Sequence, residues 1–382
     1  MNGLSHDETR RYGRHLVMPE VGVEGQAKLK AGRVLCVGAG GLGSPAALYL
    51  AAAGVGTVGL VDDDAVSVSN LQRQVLFSTD DAGTPKTEAA EARLRGLNPH
   101  IRVRTHALRL ATDNVMDVVA DYDLVVDGSD NFPTRYLVND ACVLAGIPCV
   151  HGSVLRFDGQ VSVFGADDGP CYRCLFPAPP PAGAVPSCAE GGVLGVLPGI
   201  IGSLQALEAI KLLLGVGEPL VGRLALFDGL GGTLREVGVA QDPKCPVCGV
   251  APTITAPGMP ASGDDTLSDE ELAEDPPPRM RPEELYDALV GAGPPRLLDV
   301  RNPSELEICR FNDATEIPLA ELPARLDELS ETDAWVVSCH KGARAERAWR
   351  LLREAGFERV WVLDGGIDAW AERVDPGMAR YD

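Results

Sequence analysis

Cys339 is the residue of this chain best placed to act as a nucleophile. A short apolar run, WVVS, delivers it to the loop CHKGARA, and an amphipathic helical pattern follows at once. Backbone amides converge on such a sulfur at a helix N-terminus, which favours negative charge there. With Lys341 and Arg344 in the same loop, the thiol is expected below its free value of about 8.5, able to hold a thiolate or a persulfide anion. A second candidate is Cys188, in PSCAEGGVLG, between a proline-rich stretch and a long apolar one. A cysteine among glycines in a mobile stretch suits an exposed nucleophile rather than a packed one.

The remaining cysteines divide by neighbourhood. Ten in 382 residues are too sparse for a disulfide scaffold. Cys171 and Cys174 form CYRC, and Cys245 and Cys248 form CPVC. Two CxxC knuckles far apart in the chain read as four thiolates around one structural zinc (Zn2+), pinning distant segments together. A redox role would need one pair alone. Cys36, Cys142 and Cys149 lie in apolar runs and read as core, and Cys309 reads as structural.

A third group suits phosphate. Gly38, Gly40 and Gly43 form GxGxxG between a predicted strand and a predicted helix, and Asp62 ends the next strand, at the spacing where an acid meets a ribose hydroxyl. That pattern alone fits a dinucleotide as well as ATP. The stretch VDDDAVSVSNLQRQ follows, bringing Asn70 and Arg73, and Lys86 opens the next helical stretch. A triphosphate needs such extra cations and a dinucleotide does not. After the strand DLVVD come Asp130 and Asn131, an acid at the strand end where magnesium (Mg2+) would sit.

The elements that must position these groups alternate as RVLCV, GSPAALYLAAAG, TVGLVD, KTEAAEARLRGLN, IRVRTHAL and DLVVDGS. This order predicts an α/β fold with a doubly wound parallel sheet. VLRFDGQVSVFG predicts a hairpin turning at Asp158 and Gly159, and the apolar stretch from Gly192 to Gly215 a buried helix interrupted near Pro198 and Gly199. The domain expected over residues 1–251 is followed by an acidic, proline-rich linker over 252–279, in which Ser262 to Asp275 carries seven carboxylates and no lysine or arginine. A smaller α/β domain is expected over 280–382. A formal charge of −21 disfavours nucleic acid as a partner. The polar start and the broken apolar runs argue against a membrane span and for a cytoplasmic protein.

RRYGRH, GAGGLGSP, VDDDAVSVSNLQRQ, Lys86 and DGSDN follow in order and spacing the pattern of the MoeB/ThiF/E1 family, which this chain resembles from Arg10 to Ala251. The resemblance implies a Rossmann-like adenylyltransferase with zinc on the same four cysteines. It places Gly41 in the nucleotide loop, Asp62 on the ribose, Asn70, Arg73 and Lys86 on the phosphates, and Asp130 on magnesium. Ser69, Leu71, Gln72 and Asn131 complete the implied ATP site. It also implies a homodimer in which Arg14 reaches the other subunit's ATP, and a thioester or related role for Cys188. CxxGxR after a strand, with LLDVRNPSELE before it and VLDGGIDAW after it, resembles a rhodanese domain; Ala345 and the NDA at 312–314 depart from that family's usual residues. A phosphatase loop would be one residue longer.

Together the two resemblances imply ATP-dependent adenylation of the C-terminal glycine of a ubiquitin-like sulfur carrier (MoaD/ThiS/CysO-like) ending in Gly-Gly. A persulfide on Cys339 would then supply the sulfur for a thiocarboxylate, the sulfur coming from a cysteine desulfurase or thiosulfate. The alternatives from other classes are an NAD-dependent oxidoreductase and a non-catalytic adaptor for ubiquitin-like tails.

Overall fold

The computed structural model describes residues 3–166, 169–180, 192–258 and 276–381, and the chain divides into two units, Met1–Leu267 and Ser268–Asp382. In the first, short helices α1 (His6–Arg11), α2 (Gly13–Leu16) and α3 (Gly22–Ala31) lead into β1 (Arg33–Val37). Then come α4 (Gly43–Ala53), β2 (Thr57–Val61), α5 (Lys86–Leu97), β3 (Arg102–His106), α6 (Val115–Val119), β4 (Leu124–Asp127), α7 (Phe132–Ala145) and β5 (Cys149–Leu155). The unit continues with β6 (Asp158–Phe164), α8 (Tyr172–Leu175), α9 (Val196–Leu214), β7 (Arg223–Asp228) and β8 (Thr233–Gly238).

The strands line up as β3-β2-β1-β4-β5-β6-β7-β8, parallel from β3 to β5 and antiparallel beyond. The chain winds outward from β1 through β2 to β3, then returns to β4 on the other side of β1. The loops after β1 and β4 therefore leave the sheet at its switch point, where such folds bind ligands. Strands β1, β2 and β4 are apolar throughout or nearly so, because helices cover both faces of a parallel sheet.

Two expectations differ from the fold. The hairpin turns at Arg156 and Phe157, with Arg156 at φ +55°, while Asp158 and Gly159 already belong to β6 and pair with Leu155 and Val154. Gly159 serves packing instead: a Cβ there would lie 2.4 Å from Ile201 Cδ1 of α9. α9 itself is uninterrupted from Val196 to Leu214. Pro198 falls in its first turn, where the missing N–H has no intrahelical acceptor to lose. Among the described residues α9 is the one helix long and apolar enough to cross a membrane. Its buried face, with Leu197, Ile201, Gln205 and Ala209, packs on α4, β5 and β6, and each large apolar side chain buried there contributes about 1.5–3 kcal/mol.

The second unit contains β9 (Arg279–Met280), α10 (Pro282–Val290), β10 (Arg296–Asp299), α11 (Pro303–Leu306), β11 (Ala314–Glu316), β12 (Trp335–Ser338), α12 (Ala343–Glu354), β13 (Val360–Leu363) and α13 (Gly366–Arg373). Its strands are all parallel in the order β11-β10-β12-β13-β9. Here the winding reverses between β10 and β12, so the end of β12, where Cys339 follows, is a second switch point.

Candidate functional site

The loop after β1 can close only with glycine. Gly38 has φ +83°, and a Cβ on Gly43, the first residue of α4, would sit 1.8 Å from the Gly38 carbonyl oxygen. Gly40 has no neighbour on its Cβ side nearer than 3.8 Å, which leaves room for a phosphate to approach the backbone. Gly41 lies against Arg73, whose Cδ would be 3.5 Å from a Cβ there. The loop after β4 abuts the same glycines, with Gly128 packed on Gly38 and Gly43.

Acid and base meet beside this loop. Asp62 Oδ2 accepts from the Ala39 amide at 2.8 Å, and Lys86 Nζ lies 3.6 Å from Asp62 Oδ1 and 2.6 Å from Asp64 Oδ2. Burial pushes the Asp62 carboxyl up, outweighing the buried Lys86 ammonium. A phosphate arriving here would compete with two carboxylates for Lys86. Arg73 donates to the Ser69 carbonyl at 3.4 Å, the Asn70 carbonyl accepts from the Arg73 and Gln74 amides, and Ser69 shares a 2.9 Å bond with Ser67. The Leu71 side chain packs against the core, and Gln72 is exposed with its carbonyl against Gly195. Asn131 caps α7, its Oδ1 accepting from the Thr134 amide at 2.9 Å, beside an exposed Asp130. Arg14 is exposed on α2. Cys188 lies outside the described residues.

Sequence reasoning passed over a buried polar group beneath this site. Asp127, the last residue of β4, accepts from Ser129 Oγ at 2.6 Å and lies 3.3 Å from His151 Nδ1 of β5. Burial opposes its charge, yet His151, Ser129 and the Arg135 guanidinium hold its carboxyl below the ordinary range, while burial drives His151 to the neutral imidazole. Gln74 was also missed, although it ends the motif NLQRQ. It is buried next to Gly40 with Oε1 unpaired among the described residues, a polar atom of the kind a bound nucleotide would satisfy.

The four knuckle thiols converge. Cys171 Sγ lies 3.9 Å from Cys174 Sγ and 3.5 Å from Cys245 Sγ, and Cys174 Sγ lies 3.3 Å from Cys248 Sγ. Four Zn–S bonds of about 2.3 Å in a tetrahedron set sulfurs about 3.8 Å apart, so the cluster fits a zinc ion, and no two of these cysteines form a disulfide. Burial and neighbouring thiolates push Cys171 up, a penalty that a divalent cation removes. Replacing either Cys171 or Cys245 by Ser is expected to take bound zinc from one per chain to near none and to lower the melting temperature, checked by elemental analysis and calorimetry of protein purified in reductant.

In the second unit, Cys339 accepts from the Gly342 amide at 3.1 Å and is 1% exposed. Its thiol departs from the expected direction: burial raises it, and the amides of Ala345, Gly342 and Arg344 with the Arg344 cation do not fully compensate. The reason is the near-complete burial of the sulfur; the Arg344 guanidinium is at the same time held by both oxygens of Glu305 through bonds of 2.7 Å each. Cys309 is half-buried, its carbonyl accepting from buried Arg301 at 2.9 Å and its sulfur 3.7 Å from Arg301 Nη1. Cys36, Cys142 and Cys149 are core residues.

Glu305 supplies a pH test. Against burial, Arg344, the Asn302 amide and Tyr381 hold its carboxyl down to about 2 from 4.5. A depressed carboxylate stabilises the fold above its unfolded value and loses that contribution as pH falls through the folded one. We expect Glu305→Gln to remove on the order of 2 kcal/mol of this stability, after allowance for solvent screening, and to flatten its decline between pH 4.5 and about 2. All four tryptophans, Trp335, Trp349, Trp361 and Trp370, belong to this unit, so their fluorescence during urea unfolding reads it directly.

Fold and site define a class: a Rossmann-like nucleotide-binding unit with its loops at the switch point, followed by a small α/β unit presenting one cysteine in an amide cradle. The chain belongs to the ThiF family, whose model matches residues 12–247, and it carries a rhodanese-like domain over residues 281–373. It is 45% identical over 396 aligned residues to the probable adenylyltransferase/sulfurtransferase MoeZ of Mycobacterium tuberculosis, covering 100% of this chain and 97% of that one. It is 57% identical to the sulfur carrier protein adenylyltransferase of Thermus thermophilus over 65% of this chain and 93% of that one. Among solved structures it resembles E. coli MccB with ATP, at 26% identity and a TM-score of 0.52, over 58% of this chain and 68% of that one. The chain is an enzyme, an ATP-using adenylyltransferase joined to a sulfurtransferase.

Proposed function

We propose that this enzyme adenylates the C-terminal glycine of a ubiquitin-like sulfur carrier and converts it to a thiocarboxylate with sulfur carried on Cys339. The observation that carries this reading is the union, on one chain, of a glycine loop flanked by Arg73 and Lys86 with an amide cradle around a cysteine. In the first step a carboxylate oxygen of the carrier bonds to the α-phosphorus of ATP, and the bond to pyrophosphate breaks. Arg73 and Lys86 bind and orient the triphosphate, and Asp62 fixes the ribose. Asp130 would hold magnesium, which when bound neutralises phosphate charge.

In the second step the terminal sulfur of the Cys339 persulfide bonds to the acyl carbon and AMP leaves, giving an acyl disulfide. Cys188 thiolate then attacks the Cys339 sulfur, releasing the thiocarboxylate and leaving a Cys188–Cys339 disulfide for an external dithiol to reduce. The cradle amides at Gly342, Arg344 and Ala345 stabilise the anionic persulfide, whose outer sulfur extends beyond the buried Sγ. Sulfur enters from thiosulfate or a cysteine desulfurase.

The same reading makes the enzyme a homodimer in which Arg14 reaches the nucleotide of the other subunit. In support, Arg14 is exposed and is followed at the end of α2 by Val17 and Met18, two exposed apolar side chains. The deciding experiment incubates the enzyme, MgATP, a reducing dithiol and either thiosulfate or a cysteine desulfurase with cysteine, together with purified Gly-Gly-ending carriers, and reads intact mass. A carrier that exchanges one oxygen for sulfur only when ATP is present supports the proposal; unchanged mass for every such carrier sinks it.

A further inference from the structure

Arg380 and Tyr381, the last two described residues, lie against the sulfur-bearing loop without belonging to its motif. After α13 the chain doubles back, and Arg380 clasps Asp368, in the first turn of α13, through bonds of 2.8 and 3.0 Å. This sets Tyr381 on His340, the residue after Cys339, with the two rings stacked 4.1 Å apart and 9° from parallel. The Tyr381 carbonyl lies 2.6 Å from His340 Nε2. A carbonyl can only accept, so the His340 proton is on Nε2.

The phenol reaches the other flank of the cradle. It donates to Glu305 Oε1 at 2.8 Å and accepts from Arg301 Nη1 at 3.0 Å, and Glu305 in turn grips Arg344 of the loop. From the opposite side the amides of Ile367 and Asp368 hold the carbonyls of Cys339 and His340, and Gly366 leaves no room for a Cβ there. The cradle is thus held between the start of α13 and a tyrosine that touches His340 directly and Arg344 through Glu305.

We infer that Tyr381 is a positioning residue for sulfur transfer: it fixes the His340 imidazole and the Glu305–Arg344 pair, and so sets how readily the Cys339 sulfur is offered to donor and acceptor. The inference rests on Cys339 as the sulfur-bearing residue. The groups facing His340 are Lys341 from its own loop, Asp368 from α13, Glu305 from α11 and the Tyr381 carbonyl; burial and Lys341 favour the neutral ring, and the others oppose them. Freeing the ring to solvent changes this balance beside the thiol, so the pH dependence of Cys339 reactivity reports on Tyr381.

The test uses the full chain as wild type, Tyr381→Phe, Tyr381→Ala and Cys339→Ala. Iodoacetamide labelling of the Cys339 peptide is followed by mass against pH, and thiosulfate-to-cyanide sulfur transfer is followed for kcat and KM. Tyr381→Ala should label several-fold faster with a displaced pH midpoint and raise KM for thiosulfate more than it lowers kcat. Tyr381→Phe keeps the ring stack and the carbonyl bond, and should restore the midpoint and recover part of KM. Labelling rate and midpoint in Tyr381→Ala equal to wild type would overturn the inference. So would changes that appear only where tryptophan fluorescence shows the unit unfolding, with Tyr381→Phe indistinguishable from wild type. Sulfur transfer surviving in Cys339→Ala would instead overturn the sulfur assignment, which the labelling measurements do not depend on.

Discussion

Cys339→Ala is expected to leave carrier-dependent exchange of pyrophosphate into ATP within about twofold of wild type while removing thiocarboxylate formation altogether. The exchange uses the groups at the switch point of the first sheet, and the contacts of the two units separate at Leu267 and Ser268. The second step has no sulfur without the thiol held at 3.1 Å from the Gly342 amide. Loss of the nucleophile removes the covalent route rather than slowing it, so the expected fall is on the order of the ~10⁶-fold seen when a catalytic nucleophile is deleted. Full thiocarboxylate output from Cys339→Ala, with no free sulfide present, would show that sulfur travels by another path.

Asp130→Ala should give the complementary result: exchange falls by about 10²–10³-fold, as when one group stabilising transition-state charge is removed, while thiosulfate-to-cyanide transfer at Cys339 continues. The change should not unfold the protein. Asp130 is exposed, and the capping bond at this turn belongs to Asn131. Wild-type exchange with unchanged magnesium dependence in Asp130→Ala would refute the metal role.

How much of this was readable from the chain depended on whether the deciding contact was local. The glycine loop, the order of strands about it and the knuckle cysteines are written in short spacings, because a tight turn between strand and helix dictates its own residue types. The convergence of CYRC with CPVC needs folding but announces itself by chemistry. Where a distant partner decides, the local pattern points elsewhere. Arg344 in the loop points to a low thiol pKa for Cys339, but burial of the sulfur, which the packing of distant segments creates, outweighs the cation and decides the direction. Gly159 looked like a turn because nothing in the sequence places Ile201 of α9 above it. Pro198 looked like a break because its position within the first turn depends on where α9 starts. His151 gave no signal at all, since its partner Asp127 lies on the neighbouring strand. Tyr381 was equally silent, its link to His340 spanning 41 residues.

The knuckle cysteines have a topological consequence. A metal shared by Cys171 and Cys245, 74 residues apart, would turn the chain between them, α9, β7 and β8 included, into a closed ring. Closing a ring of that length in the unfolded chain stabilises the native state by ~4 kcal/mol in the simplest entropic account. A single protease cut between Cys174 and Cys245 would then yield two pieces tied through the metal as well as through the packed core, so that a chelator lowers the urea concentration at which they part, making the metal a removable covalent substitute in the backbone's own circuit.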